Sequence, residues 1–186
     1  LCTLFMPLAA ALEFQGVWQQ GAMLVGRTEP DNKVVFQDRT VSLTPQGYFV
    51  VGLSRDVKGP VVVDVHNGSD SQQYSYSVAQ REYNVQRVDG VPQRTVTPPS
   101  AEVLERIRRE GRLVRQARAD DDRREDFLQG FIKPLEGPIT GVYGSQRVYN
   151  GVPKNPHYGL DIARPTGTVV VAPAAGIVKL VHADMY

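Results

Sequence analysis

Short apolar runs, separated by turn residues at regular spacing, fill the chain from Gly16 to Val88, and that punctuation reads as all-β. Residues 22–25, 33–36, 48–51, 61–65 and 74–78 are the strand candidates, being rich in Val, Phe and Tyr. Turns are expected at 44–47 and 66–69. The second is the stronger, because Asn67-Gly68 accepts the positive φ angles of a two-residue hairpin. The expected fold class is mainly β, beginning with a small Ig-like β-sandwich over residues 12–90. His66, beside the turn and with no second His or Cys near it, reads as a solvated turn residue. Trp18, the single tryptophan, reads as a core or domain-contact residue rather than a ligand platform.

Pro92, Pro98 and Pro99 make residues 91–100 an extended linker, since proline fixes φ and removes backbone donors. Ser100 is a suitable N-cap for a helix from Ala101 to about Ala117, or at the furthest to Phe127. Val103, Leu104, Ile107, Val114 and Ala117 keep to one side of it. Glu102 with Arg106 and Glu105 with Arg109 are expected i,i+4 pairs, and Gly111 is the place for a kink. The arginines alternate with acids and are followed by Asp120, Asp121 and Asp122, so they read as a solvated face and not as a nucleic-acid surface. Linker and helix occupy 91–130. A second β-rich region follows over 131–186, with strands expected at 139–143, 169–172 and 177–181.

A chain of 186 residues with 41% hydrophobic content is long enough for two small cores. Its net charge of +1 provides no global field to draw it onto nucleic acid or an anionic membrane. The first twelve residues, LCTLFMPLAAAL, have the pattern of a signal-peptide apolar region with a small-residue cleavage site, cut after Ala11. Residues 1–11 therefore read as a signal-peptide remnant lacking its basic start; a buried first strand or helix is the alternative. The run is too short for a membrane span, which needs roughly 20 apolar residues. Cys2, the only cysteine, lies inside it, so a processed chain would have neither disulfides nor thiolate metal sites. This fits a bacterial periplasm or the cell exterior.

His157 and Asp161 stand four apart with Gly159 between them and Pro165 beyond. On a straight strand such residues are separated by roughly 13 Å, too far for one metal ion. Glycine and proline argue against a helix. A bent strand or a turn relaxed at Gly159 is left, in which an imidazole nitrogen and a carboxylate oxygen converge. The bare spacing also fits a hydrogen-bonded structural pair in a secreted β-protein.

Gly144 and Arg147, the run His157, Tyr158, Gly159, Leu160 and Asp161, then Pro165 to Thr168, Ala172-Pro173 and Gly176 to Val178 together resemble the first half of the lysostaphin and LytM-type zinc metallopeptidase domain. The resemblance is strong over 139–186. It is looser upstream, where Gly26 to Pro30, Arg81 to Tyr83, the linker and the arginine-rich helix are similar to the N-terminal region of exported bacterial members.

By that resemblance His157 and Asp161 match the first two zinc ligands. The family completes its site with a His-x-His motif and a further upstream histidine, in a half of the domain that is not in this sequence. His182 has no His-x-His partner and reads as a surface residue. The resemblance implies Zn²⁺ as cofactor, peptidoglycan stems and cross-bridges as substrate, and periplasmic or secreted location. It also implies a fragment that is inactive without the third ligand and the histidine base. Tyr143, Arg147 and Tyr149 lie where the family forms a wall of its substrate groove. Arg147 would meet a substrate carboxylate or form an intradomain salt bridge, and Tyr158 reads as core. The competing function is a non-catalytic wall-binding module or an activator of another wall hydrolase.

Overall fold

Alternating inward valines and aromatics turn the described residues from 12 to 81 into seven strands. They are β1 Glu13–Gln15, β2 Met23–Arg27, β3 Lys33–Phe36, β4 Arg39–Val41, β5 Tyr48–Gly52, β6 Val61–Asn67 and β7 Asp70–Tyr76. A computed structural model describes residues 12–96 and 100–185. The signal-like run 1–11 and linker prolines Pro98 and Pro99 lie outside the described residues. The protein is mainly β, and its chain divides into two units: residues to Arg81 together with Arg123–Leu128, and Glu82–Asp122 together with Gln129–Tyr186. No helix among the described residues is long and apolar enough to cross a membrane.

In the first unit, antiparallel sheets β1-β2-β5 and β4-β3-β6-β7 share one core. Val61, Val63 and Val65 of β6 point inward at every second position, as a half-buried strand requires. Leu24, Val34 and Phe49 are fully buried with them. Trp18 stacks on Tyr76 at 4.1 Å between ring centroids and packs against this core. Gly26 faces Phe49 across the β2–β5 ladder, where a Cβ would stand 2.2 Å from the ring. The glycine is thus the space into which the phenylalanine fits.

Three local expectations shift. The β6–β7 hairpin turns on Gly68 and Ser69, with Gly68 at φ +57°, while Asn67 stays paired with Asp70. Glycine at the first central position suits this two-residue turn. His66 is therefore a half-buried strand residue, opposite Lys33 and Ser71. Strand β7 ends at Tyr76, and Ala79 crosses to pair with Gln19.

The second unit contains β8 Val85–Val88, a short helix α1 Gln93–Val96, the helix α2 Ala101–Ala117, β9 Ile139–Gly141, β10 Gln146–Tyr149, β11 Val152–Pro153 and β12 Asp161–Ile162. Ser100 caps α2 through its Oγ, which accepts from the Val103 N–H at 3.3 Å; the helix passes Gly111 unbroken and stops at Ala117. The expected ion pairs are replaced. Arg106 turns to Glu110 at 2.7 Å and to Asp184 at 3.1 Å, because the buried Glu110 carboxylate needs a cation. Glu105 faces Arg108 and Arg112.

Strand β8 pairs in parallel with β10, whose other edge carries β11; β9 and β12 form a separate antiparallel pair. The strands expected at 169–172 and 177–181 do not form. Neither segment is paired into a sheet among the described residues. Val171 N–H bonds to the Pro134 carbonyl and Ile132 N–H to the Pro173 carbonyl, but neither proline can donate in return. Val169, Val178 and Val181 are 80%, 78% and 84% exposed. Among the described residues of this unit Val148 is the one buried apolar side chain, against ten in the first.

Trp18 makes unfolding of the first unit directly visible by fluorescence. Phe49→Ala should lower its stability by about 3–5 kcal/mol through the cavity it leaves, and Gly26→Ala by about 1–3 kcal/mol through overpacking against the same ring. Urea titrations of both variants check this; an unchanged midpoint for Gly26→Ala would contradict the packing described.

Candidate functional site

The backbone of His157 is clasped by a turn. Its N–H donates to the Ser145 carbonyl at 2.8 Å and its carbonyl accepts from the Gly144 N–H at 2.7 Å. Gly144 takes a left-handed φ of +84°, which brings residues 142–145 round so that Ser145 N–H reaches the Val142 carbonyl. The chain then bends at Gly159 and enters β12, where Asp161 pairs with Gly141 of β9. The bend brings the two side chains together, with His157 Nε2 3.2 Å from Asp161 Oδ1.

Gly141 makes that approach possible. A Cβ there would stand 2.5 Å from Asp161 Oδ2 and 3.1 Å from His157 Cε1, so any side chain would displace the carboxylate. Gly159, by contrast, leaves ordinary contact distance to the imidazole, and its part is the bend alone.

The imidazole lies between two acceptors. Nδ1 is 3.3 Å from the Val142 carbonyl, which can only accept, so the matching tautomer carries its proton on Nδ1. Nε2 then presents a lone pair to the Asp161 carboxylate, and a neutral ring satisfies one of these contacts but not both. A proton or a cation between Nε2 and Oδ1 resolves the conflict. Two ligand atoms each about 2.1 Å from a tetrahedral zinc ion are roughly 3.4 Å apart, near the 3.2 Å observed here. An Nδ1–H bound to a backbone carbonyl is also the usual way a metal-binding histidine is oriented. The pair fits two positions of a zinc site. No group of three or more His, Cys, Asp or Glu side chains able to hold a metal occurs among the described residues.

The pair opens into a cleft of about 470 Å³. Arg147 and Tyr149 line it, with Arg147 Nη1 donating to the Tyr149 hydroxyl at 3.3 Å; among the described residues Arg147 forms no ion pair. Tyr143 does not line it and instead meets Tyr158 edge-on at 6.0 Å. Tyr158 is 64% exposed and is no core residue, since the bend at Gly159 turns it outward. His182 is exposed, its Nδ1 accepting from the Asp184 N–H.

Sequence reasoning missed part of the cleft: Asn84 and Gln86, which arrive with β8, and Lys154. For Asn84 and Gln86 the signal was the pairing of β8 with β10, which spans most of the unit and leaves no local trace. His66 and Asp70 show how little the spacing alone means. They too are four apart, but in the β6–β7 register their side chains point to opposite faces of the sheet.

Gly141→Ala should leave overall stability within about 1 kcal/mol, because Asp161 is exposed and free to swing aside, while separating Asp161 from His157. A crystal structure of the variant checks this; an Nε2–Oδ1 contact that survives would contradict the steric role given to Gly141.

No protein-family profile matches the chain, and no curated protein matches it. Among solved structures it is similar to one described as a "putative peptidase M23" from Pseudomonas aeruginosa, with a TM-score of 0.54 and 24% identity. The match covers 86% of this chain and 60% of that one. At this identity the likeness carries the fold. The chain spans 60% of the length of the structure it resembles.

Proposed function

We propose that this chain carries part of the zinc site of an exported metallopeptidase of the lysostaphin and LytM type, acting on peptidoglycan peptides. The observation that supports it best is the His157–Asp161 pair, in which a ring nitrogen and a carboxylate oxygen face each other 3.2 Å apart at the mouth of a cleft. The M23-like fold supports it as well, and so does the apolar surface at Val169, Val178 and Val181, which a longer domain would cover. The signal-like run supports export to the periplasm or the exterior.

His157 Nε2 and Asp161 Oδ1 are the groups that would hold the ion. The Val142 carbonyl keeps the imidazole in the tautomer that leaves Nε2 free to bind. Zinc, when bound, supplies Lewis acidity that polarises a peptide carbonyl and activates water. Arg147 lies across the cleft as a partner for a substrate carboxylate, while Asn84 and Gln86 offer amides to an extended peptide backbone. With two donors and no further ligand group among the described residues, the chain alone is inactive in this reading. The shortage of donors also favours a second reading, a non-catalytic wall-binding module.

Equilibrium dialysis and digestion of purified sacculi separate these readings. The chain should bind one Zn²⁺ at least about tenfold more tightly than His157→Ala or Asp161→Ala. It should leave sacculi intact, whereas the protein extended by its downstream coding sequence should digest them and lose that activity on His157→Ala. Digestion undiminished in His157→Ala would sink the zinc assignment, and wall binding without metal dependence would support the module.

A further inference from the structure

The turn that clasps His157 is itself gripped from far upstream in the chain. Gly144 is buried, and a Cβ built on it would stand 2.0 Å from both Cδ1 and Cε1 of Tyr83, so the phenol ring fills the space where a side chain would be. The next residue, Asn84, accepts at its carbonyl from the Gln146 N–H at 2.9 Å. Tyr83 and Asn84 thus hold both sides of the 144–146 turn. That turn in turn holds His157 through the Gly144 N–H and the Ser145 carbonyl, with the adjoining Val142 carbonyl on the ring. At the far end of β8 a separate fastening occurs: Asn150 brackets Val91, accepting from its N–H at 3.2 Å and donating to its carbonyl at 2.9 Å.

We propose that Tyr83 is a positioning residue for His157, its ring seated on Gly144 so that the turn presents its carbonyls and N–H to the histidine at one fixed angle. The role rests on His157 being a working residue of the site, as proposed above. Tyr83 itself does not line the cleft; it acts through Gly144 and its neighbours. Removal of the ring leaves the 142–145 turn free to rotate about its left-handed glycine, and the Nδ1–H···O=C contact at 3.3 Å is the first to be lost.

The test is ¹⁵N NMR of the three histidines in the intact chain at one fixed alkaline pH, alongside thermal unfolding. In the wild type and in Tyr83→Phe, which keeps the ring, the His157 nitrogens should show one tautomer with the proton on Nδ1. In Tyr83→Ala they should shift to tautomer-averaged values. Asn150→Ala, which loosens the other end of β8, should lower Tm yet leave the His157 signals where they were. If Tyr83→Ala does not fold, Tyr83→Leu replaces it under the same criterion. A folded Tyr83→Ala or Tyr83→Leu with wild-type His157 signals overturns the proposal, as does an Asn150→Ala that moves them equally. Because ring order is read without metal or substrate, failure here leaves the zinc reading standing, and failure to bind zinc leaves this result intact.

Discussion

The candidate site depends on the absence of a side chain at Gly141. The imidazole of His157 and the carboxylate of Asp161 approach each other against bare backbone, and the strand pairing that brings Asp161 there would be sterically incompatible with any larger residue. Gly26 and Gly144 do the same for aromatic rings, Phe49 in the sandwich and Tyr83 beside the histidine turn. In each case the missing Cβ is the contact surface. These glycines are placed by close approach, and only Gly144 among them also needs a positive φ.

The two units are held by different forces. Among its described residues the sandwich has ten buried apolar side chains drawn from both sheets, enough for hydrophobic burial to dominate. Among its described residues the unit containing the site buries one, Val148, and is tied instead by short ladders, the Asn150 bracket and the Arg106–Glu110–Asp184 network. Hydrogen bonds to both acids hold the Arg106 guanidinium charged more firmly than usual. The exposed valines at 169–171 are what a sheet would bury if more strands lay against it.

Much of the sandwich was legible, because inward valines at every second position are a local signal that the core then rewards. The start of α2 was legible for the same reason: Ser100 acts on a neighbour three residues away. Features that depend on distant partners were not. Residues 169–172 and 177–181 have strong strand propensity, yet propensity without a partner strand produces no ladder. Arg106 was assigned to the nearer-looking Glu102, whereas burial of Glu110 decides the matter. The turn at Gln37 and Asp38, both at positive φ, contains no glycine and gave no warning. Asn150-Gly151, a hairpin dipeptide between short strands, does carry a local signal. The His157–Asp161 pair stood out through the motif around it. Spacing alone would have chosen His66 and Asp70 equally well.

If a histidine and a carboxylate face each other here because a cation belongs between them, the cation can be located. Crystals of the chain soaked in Zn²⁺ and measured on both sides of the zinc absorption edge test this most directly. The account predicts an anomalous peak within bonding distance of both His157 Nε2 and Asp161 Oδ1, with Nδ1 still on the Val142 carbonyl. Zinc bound elsewhere, with the 3.2 Å His157–Asp161 contact closed by a proton alone, would contradict it.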